Sequence, residues 1–535
     1  VSILFQRALL LAKLESTFRT DAQPNQTLKN IGPIDSTADV DDGAEEITFA
    51  AHGYTTGEGP VQLAVQSGAL PTGLAENTDY WIIRVDANTF QIAASRADAI
   101  ADTPVPIDLT AAVGTFTLQK VSSDALLVVE PDFSPDITIL DRNNVKSAIG
   151  AEPGRTGRKI ASISFQHEVR GSGSAGQGAG QDVRPAFGTL LRGCGMAETQ
   201  YEGPATILDD APIPINNPTG SFTFAKTTAY TETLPRVVVL TCVTPGGSGV
   251  AEFDVDSPAV GAPANPLQAA VDIDAATMTD ATPFDLTVAG TPAQITPTVT
   301  ANFQVGDTFV VHLAPAGFFY TPISDAFESL TLVLFYEELR FLVTGARGTW
   351  TASGEADAFA FFEFTFTGDF FDPTDATQPT DAIFEQTLPA QVELQNVRAL
   401  GGDDFDPAAQ DEFNLCIQSF EIDIANQVVA RECTNDPNSL AGAIIVSRNP
   451  TASFNPEATP EGEHPFWGLL SSADRIVWGL RVGSEQGNVV DFQALHAQYT
   501  GISQANRNEI RAYDVTLRLA EASSAGNDEI RIVAA

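Results

Sequence analysis

Along most of the chain, apolar and polar residues alternate with a period of two, the spacing that sends side chains to opposite faces of a strand. The clearest case is EADAFAFFEFTFTGDFF, where Phe362, Phe364 and Phe366 share one face and Glu363, Thr365 and Thr367 the other. Such a strand buries one face and shows a polar one. Just before it, SLTLVLFYEELRFLVTGARGTW predicts two strands joined by a polar turn at Glu337 and Glu338. TDYWIIRVDANTFQIAAS predicts a hairpin, Tyr80 to Val85 and Thr89 to Ala93, about a short Asp/Asn turn. DALLVVEPDFSPDITILDR alternates around prolines, and GRKIASISFQHEVRG gives a cleaner strand centred on Ile160, Ile163 and Phe165. Helical signals are few. PAFGTLLRGCGMAE predicts a short helix from Pro185 to about Cys194, with proline at its start and glycine at its end. Residues 1–19 read either as a short helix, from the spacing of Leu9, Leu10, Lys13, Leu14 and Thr17, or as an extended arm lying on a neighbouring subunit.

These segments group into domains. The 535 residues are enough for three to five domains of ordinary size, roughly 100–200 residues each. Residues 1–43 form the helix or arm and a polar loop, and 44–120 a small inserted β module. Residues 121–242 and 315–400 form two parts of a first domain, split by a second inserted β module at 243–314 that has almost no Lys or Arg. Residues 401–535 form a last domain. Within the first, GSGSAGQGAGQDVRP is a flexible Gly-rich loop.

The last domain restates the first. ISFQHEVRG, a loop and PAFGTLLRGCG match in order ASFNPEATPEGEHPFWGLLSSA: a strand, a loop, then proline, an aromatic, glycine and a leucine pair. The hairpin at 329–351 matches RIVWGLRVGSEQGNVVDFQALHAQYT, and FEFTFTGDF matches AYDVTLRLA. The expected fold is therefore mostly β: a duplicated β-sandwich or barrel with short flanking helices and two small inserted β modules. Three such chains would place six similar sheets in a ring, with adjacent edges paired.

Charge narrows the function. With 69 acidic and 28 basic residues the formal net charge is −41, which repels nucleic acid and anionic membranes. A DNA-binding module needs a basic footprint, whereas a channel through which DNA slides without sticking does not. Solubility, or adaptation to a salty medium, explains the same charge. Cys194, Cys242, Cys416 and Cys433 have neither zinc-site nor disulfide-framework spacing, and read as thiols in a reducing compartment. The apolar start is too short for a membrane span and carries no clear targeting signal, so no membrane insertion is expected.

The segment FYTPISDAFESLTLVLFYEELRFLVTGARGTWTASGEADAFAFFEFTFTGDFFDPTDA, with its GARG and F-x-F-T-F-T-G, resembles the tail tube (major tail) proteins of long, non-contractile bacteriophages. Segment 47–94 resembles a small β module found in many phage structural proteins. The resemblance implies a β-sandwich with a flanking helix, and rings stacked into a hollow tube that carries DNA. It implies the chain itself as partner, in trimeric pseudo-hexameric rings or in hexamers, together with tape-measure, tail terminator and tail-tip proteins. The implied location is the tail of the virion, after assembly in the host cytoplasm. The alternative function is a capsid decoration or a tail-tip receptor-binding protein.

No enzyme activity, cofactor or metal is expected. His52, His167, His312, His464 and His496 lack partners at metal-ligand spacing, and HGYTTGEG is not followed by GKS or GKT. Asp39, Asp41, Asp42, Glu45 and Glu46 cluster without the DxDxDG order of a calcium loop. There is no GxSxG elbow, and nothing singles out a carboxylate pair for glycoside hydrolysis. The inter-subunit candidates are Arg347 with Gly345 and Gly348, and the loop from Gly171 to Gly180. Arg347 reads either as a partner for acidic residues on a neighbouring subunit or as a surface arginine in a turn. The loop is expected to order when the next ring docks.

Overall fold

A computed structural model describes residues 8–24, 30–52, 54, 56, 61–76, 78, 80–95, 98–99, 101, 103–110, 113–120, 124–142, 144–145, 152–171, 184–201, 206–215, 218–257, 260–262, 265–268, 271–287, 292–356, 358–379, 398–400, 416–436, 440–462, 464–485, 487–521 and 526–535. They form a mostly β protein with two helices of seven residues each. The first half of the core runs β1 (Ala8–Leu14), β2 (Val129–Leu140), β3 (Arg155–Glu168), α1 (Phe187–Gly193), β4 (Met196–Tyr201), β5 (Gly317–Pro322), β6 (Leu330–Tyr336), β7 (Leu339–Glu355) and β8 (Phe361–Phe370). The second runs β9 (Arg398–Leu400), β10 (Ile417–Asp423), β11 (Gln427–Glu432), β12 (Leu440–Ser447), β13 (Thr451–Pro456), α2 (Phe466–Ser472), β14 (Arg475–Val482), β15 (Val490–Arg507), β16 (Ile510–Ala520) and β17 (Arg531–Ala534).

The halves have the same strand order. The first is β2–β3–β8–β7–β6–β1, antiparallel throughout. The second is β10–β13–β16–β15–β14–β9, also antiparallel. In both, the helix follows the second strand of that order, and one phenylalanine from it lands on the same strand. Phe187 of α1 lies 5.1 Å from the Phe362 ring, and Phe466 of α2 lies 5.4 Å from the Tyr513 ring. Phe362 and Tyr513 are thus equivalent, and the duplication extends from order to register. Both sheets enclose one core, in which Phe165, Trp350, Phe362, Phe364 and Phe366 meet Phe454, Trp478, Val515 and Leu517. The period-two aromatic face of β8 is that core's centre, with Phe364 and Phe366 rings 5.9 Å apart.

Three expectations change. The start of the chain is a strand: β1 pairs with β6 from Ala8↔Tyr336 to Leu14↔Leu330. Leu10 and Ala12 enter the main core while Leu9 and Leu11 enter a second cluster on the other face. A run buried on both faces loses its alternation, and leucine spacing alone then mimics a helix. As an extended segment it lies on its own chain.

The first inserted module begins at residue 30, because Asn30–Asp35 pairs with Gly114–Lys120, which pairs in turn with Val61–Gly68. It has its own core around Ile34, Ile47, Phe90 and Phe116. The second module begins near residue 206. Its five-stranded sheet runs Ile213–Ile215, Thr308–Leu313, Arg236–Thr244, Glu252–Ser257 and Val271–Thr277 in spatial order. The compositional break at 243 marks the end of its central strand, not the edge of the module. This module packs Ile213, Val237 and Val310 against Val477 and Leu495 of the second half. Among the described residues no helix is long and apolar enough to cross a membrane.

Candidate self-assembly interface

The two halves meet strand to strand. The end of β7, whose Thr351 to Ser353 still pair with β8 on one side, pairs on the other with β10: Thr351↔Asp423, Ala352↔Ile422, Ser353↔Glu421, Gly354↔Phe420 and Glu355↔Ser419. A second contact lies above it, where the β11–β12 hairpin of the second half rests on β7 and β8 of the first. The GARG stretch builds that contact. Arg347 donates to the carbonyls of Phe327 (2.6 Å), Ala443 (3.0 Å) and Glu328 (3.2 Å), and its guanidinium lies 4.5 Å from the Phe18 ring centre. Ala443 belongs to β12, so the arginine ties the two halves together. Gly345 has φ +61, and its N–H donates to Glu15 Oε1 at 2.7 Å; a Cβ there would stand 2.7 Å from Arg19 Cγ. Burial pushes the Glu15 carboxyl above its ordinary pKa, against the pull of four hydrogen bonds, from Ser329, Gly345, Arg19 and Thr331. Gly348 passes so close to Phe366 that a Cβ would stand 2.6 Å from its ring. Its carbonyl accepts from Asn426 Nδ2, which also donates to the Cys194 carbonyl.

These three candidates therefore sit inside one chain, at the seam between its halves. Arg347 lies within strand β7, with three of its donors spent on carbonyls of its own chain, not on acids of a neighbour. Gly171 is also internal: its N–H donates to Asn488 Oδ1 at 2.8 Å in the β14–β15 connection. Gly180 and the rest of that loop fall outside the described residues.

Among the described residues, equivalent surfaces are uncovered at the two ends of the duplicated unit. β2 has β3 along one side, and its residues are mostly exposed, whereas its equivalent β10 lies between β13 and β7. The apolar Ile137, Ile139 and Leu140 of β2 are 37, 66 and 56 % exposed, which is costly for an edge that pairs on one side alone among the described residues. At the other end, Trp350 and Ala352 of β7 are fully buried, but the matching stretch of β15 is open: Ser503, Gln504 and Asn506 are exposed. The helices differ in the same sense. α1 is covered on nearly all sides, while α2 shows Trp467, Gly468, Ser471 and Ser472 to solvent. Sequence reading missed both edges, although prolines inside the alternating 129–140 segment were the available sign of an edge strand.

The remaining candidates have structural roles. All five histidines are buried. His52 bonds the Asp86 carbonyl and the Tyr54 N–H, His464 bonds the Tyr499 hydroxyl at 2.8 Å, and His312 Nδ1 lies 3.0 Å from Asp209. Asp209 also takes Arg531 at 3.0 Å; burial alone would raise its carboxyl, but His312 and Arg531 beside it hold it at about 2. In the acidic cluster, Asp41 accepts the N–H groups of Gly43 and Ala44, Asp39 that of Asp35, and Glu45 that of Leu109. Glu337, with φ +51, forms the tight turn between β6 and β7. Among the described residues no group of three or more His, Cys, Asp or Glu side chains is placed to hold a metal ion.

Fold and site together define a class: a duplicated β protein whose internal seam is a strand pair, with the two halves of the same seam left open at its ends. No model of a known protein family matches the chain, and no curated protein matches its sequence.

Proposed function

We propose that this chain is a structural subunit that assembles with copies of itself into rings, and that the rings stack into a hollow tube, as the tail tube of a long-tailed bacteriophage does. One observation carries the reading: the surfaces that join the two halves inside the chain recur at its ends, uncovered among the described residues. A molecule with this property adds copies head to tail, and a head-to-tail contact closes into a ring when its rotation divides a full turn. Three chains then supply six similar sheets. The acidic balance of −41 suits a lumen through which DNA passes without being held. The inserted modules, each with its own core, are free to decorate the outside of such a tube.

The test is negative-stain electron microscopy of the purified protein at high concentration. Stacked rings with three-fold symmetry and six lobes are expected. Closed rings that never stack would favour a capsid decoration or tail-tip protein instead, and a protein that remains monomeric would count against both.

A further inference from the structure

The duplication fixes the register of the contact between copies, and with it the residues that touch. The equivalence of Phe362 with Tyr513 sets the alignment. Within each half, Phe362 pairs with Ala352 and Tyr513 pairs with Gln504, so Gln504 takes the place of Ala352. On the other side of the seam, Ile422 pairs with Ala452, which faces Leu517. Phe133 pairs with Ile163, which faces Phe366. Leu517 follows Tyr513 by four residues, as Phe366 follows Phe362, so Phe133 takes the place of Ile422. Both outer strands also carry a bulge at nearly the same level, between Val129 and Asp132 and between Ile417 and Phe420.

From this we infer that β15 of one chain pairs antiparallel with β2 of a second copy, with Ser503 opposite Ser134, Gln504 opposite Phe133 and Ala505 opposite Asp132. The inference rests on the self-assembly reading above. Its template is the seam Thr351↔Asp423, Ala352↔Ile422, Ser353↔Glu421 inside each chain. The occupant is a second copy because a second copy supplies the missing half of the duplicated seam, with the same strand, bulge and face.

The edge of β2 is selective. Phe133 and Pro135 stand two apart along it and so turn their backbone groups to the same side, where Pro135 has no N–H to give and Phe133 does, while the Pro131 carbonyl, in the bulge, accepts from the Tyr336 hydroxyl of the same chain. Unrelated strands find few donors there, whereas the Gln504 carbonyl meets the single one in register. Ser503 and Gln504 have exposed side chains, and among the described residues their backbone pairs along the β16 side alone. Arg507, engaged with Glu457 at 2.7 Å, is not needed.

Single cysteines test the register without disturbing the core. In a chain carrying Cys416→Ser and Cys433→Ser, Asp132→Cys and Ala505→Cys are made separately, mixed at high concentration and exposed to a mild oxidant. Directly opposed residues in an antiparallel pair stand roughly 4.5–5.5 Å apart, within disulfide reach. A dimer of twice the 56.6 kDa chain is expected in the mixture and in neither variant alone. Replacing Asp132→Cys by Ile139→Cys, seven residues along the strand, is expected to abolish it. Rings in the microscope without this dimer would overturn the register and leave self-assembly standing. Neither rings nor dimer would overturn both. The dimer without rings would uphold the strand pair and overturn the ring.

Discussion

At the scale of single residues, the seam between the halves is held by buried polar contacts laid over an apolar core. Arg347 satisfies three carbonyls that belong to two halves of the chain. Arg347→Ala leaves those carbonyls without their charged donor, and a loss of about 3 kcal/mol is expected from the urea midpoint at constant m. Gly345→Ala forces a side chain into a left-handed conformation against Arg19, for a loss of roughly 1–3 kcal/mol in the same measurement.

The histidines predict a pH dependence. Burial holds His464 near a pKa of about 4, and burial with Arg170 nearby does the same to His167. Unfolded, each titrates near about 6.5. As pH falls from 6.5 to 4 the unfolded chain takes up protons the folded one refuses, so stability falls by roughly 1.4 kcal/mol per pH unit for each. Asp256, pushed up to about 6 by burial and by Asp272, Asp254 and Asp274, works the other way between its unfolded pKa and 6. The measurement is therefore a difference: the pH profile of His464→Gln should be shallower than wild type between pH 6.5 and 4. Below that range Asp209 adds a further loss, as pH falls from its unfolded pKa to about 2.

At the scale of elements, the inserted modules are separable to different degrees. The first has its own core, and its first and last strands pair as Asn30↔Gln119. The chain re-enters the body beside the strand it left, where Ala12 N–H donates to the Asp124 carbonyl at 2.9 Å. Residues 30–120 alone are expected to fold and unfold cooperatively by circular dichroism. A chain in which a short Gly/Ser linker replaces them is expected to keep its core and its ring-forming ability. The second module should not be removed so cleanly. Its Asp209 is bonded to Arg531 of β17 at 3.0 Å, and the Pro235 carbonyl accepts from Arg481 of β14 at 2.7 Å. Excision exposes Val477 and Leu495, takes the Pro235 carbonyl from the buried Arg481 and Asp209 from the half-buried Arg531, so insoluble or unstable protein is the expected result.

At the scale of the whole molecule, a charge of −41 on every subunit opposes assembly through long-range repulsion, while a strand-to-strand seam is short-ranged. Salt shortens the Debye length from about 30 Å at 0.01 M to about 8 Å at 0.15 M. Assembly followed by sedimentation should therefore increase with ionic strength. Rings that dissolve as salt is added would point to a contact made of ion pairs and not of backbone hydrogen bonds.

What was legible in the sequence was whatever a short window can carry. The alternation of Phe362, Phe364 and Phe366, the turn at Glu337, the hairpin at 80–93 and the helix after Pro185 all depend on neighbours a few residues away. The order of elements that pointed to the duplication was assembled from such windows, each read by itself. Strand β1 escaped because burial on both faces erases alternation, and the module boundaries escaped because the strand that closes each sheet lies far along the chain. The GARG stretch stood out in the sequence, yet its partners Glu15, Phe18 and Ala443 come from distant segments that only folding brings together. Which edges are covered and which are open is a difference between two nearly equivalent surfaces. It arises when the second half takes the place beside the first, and no local pattern of residues records it.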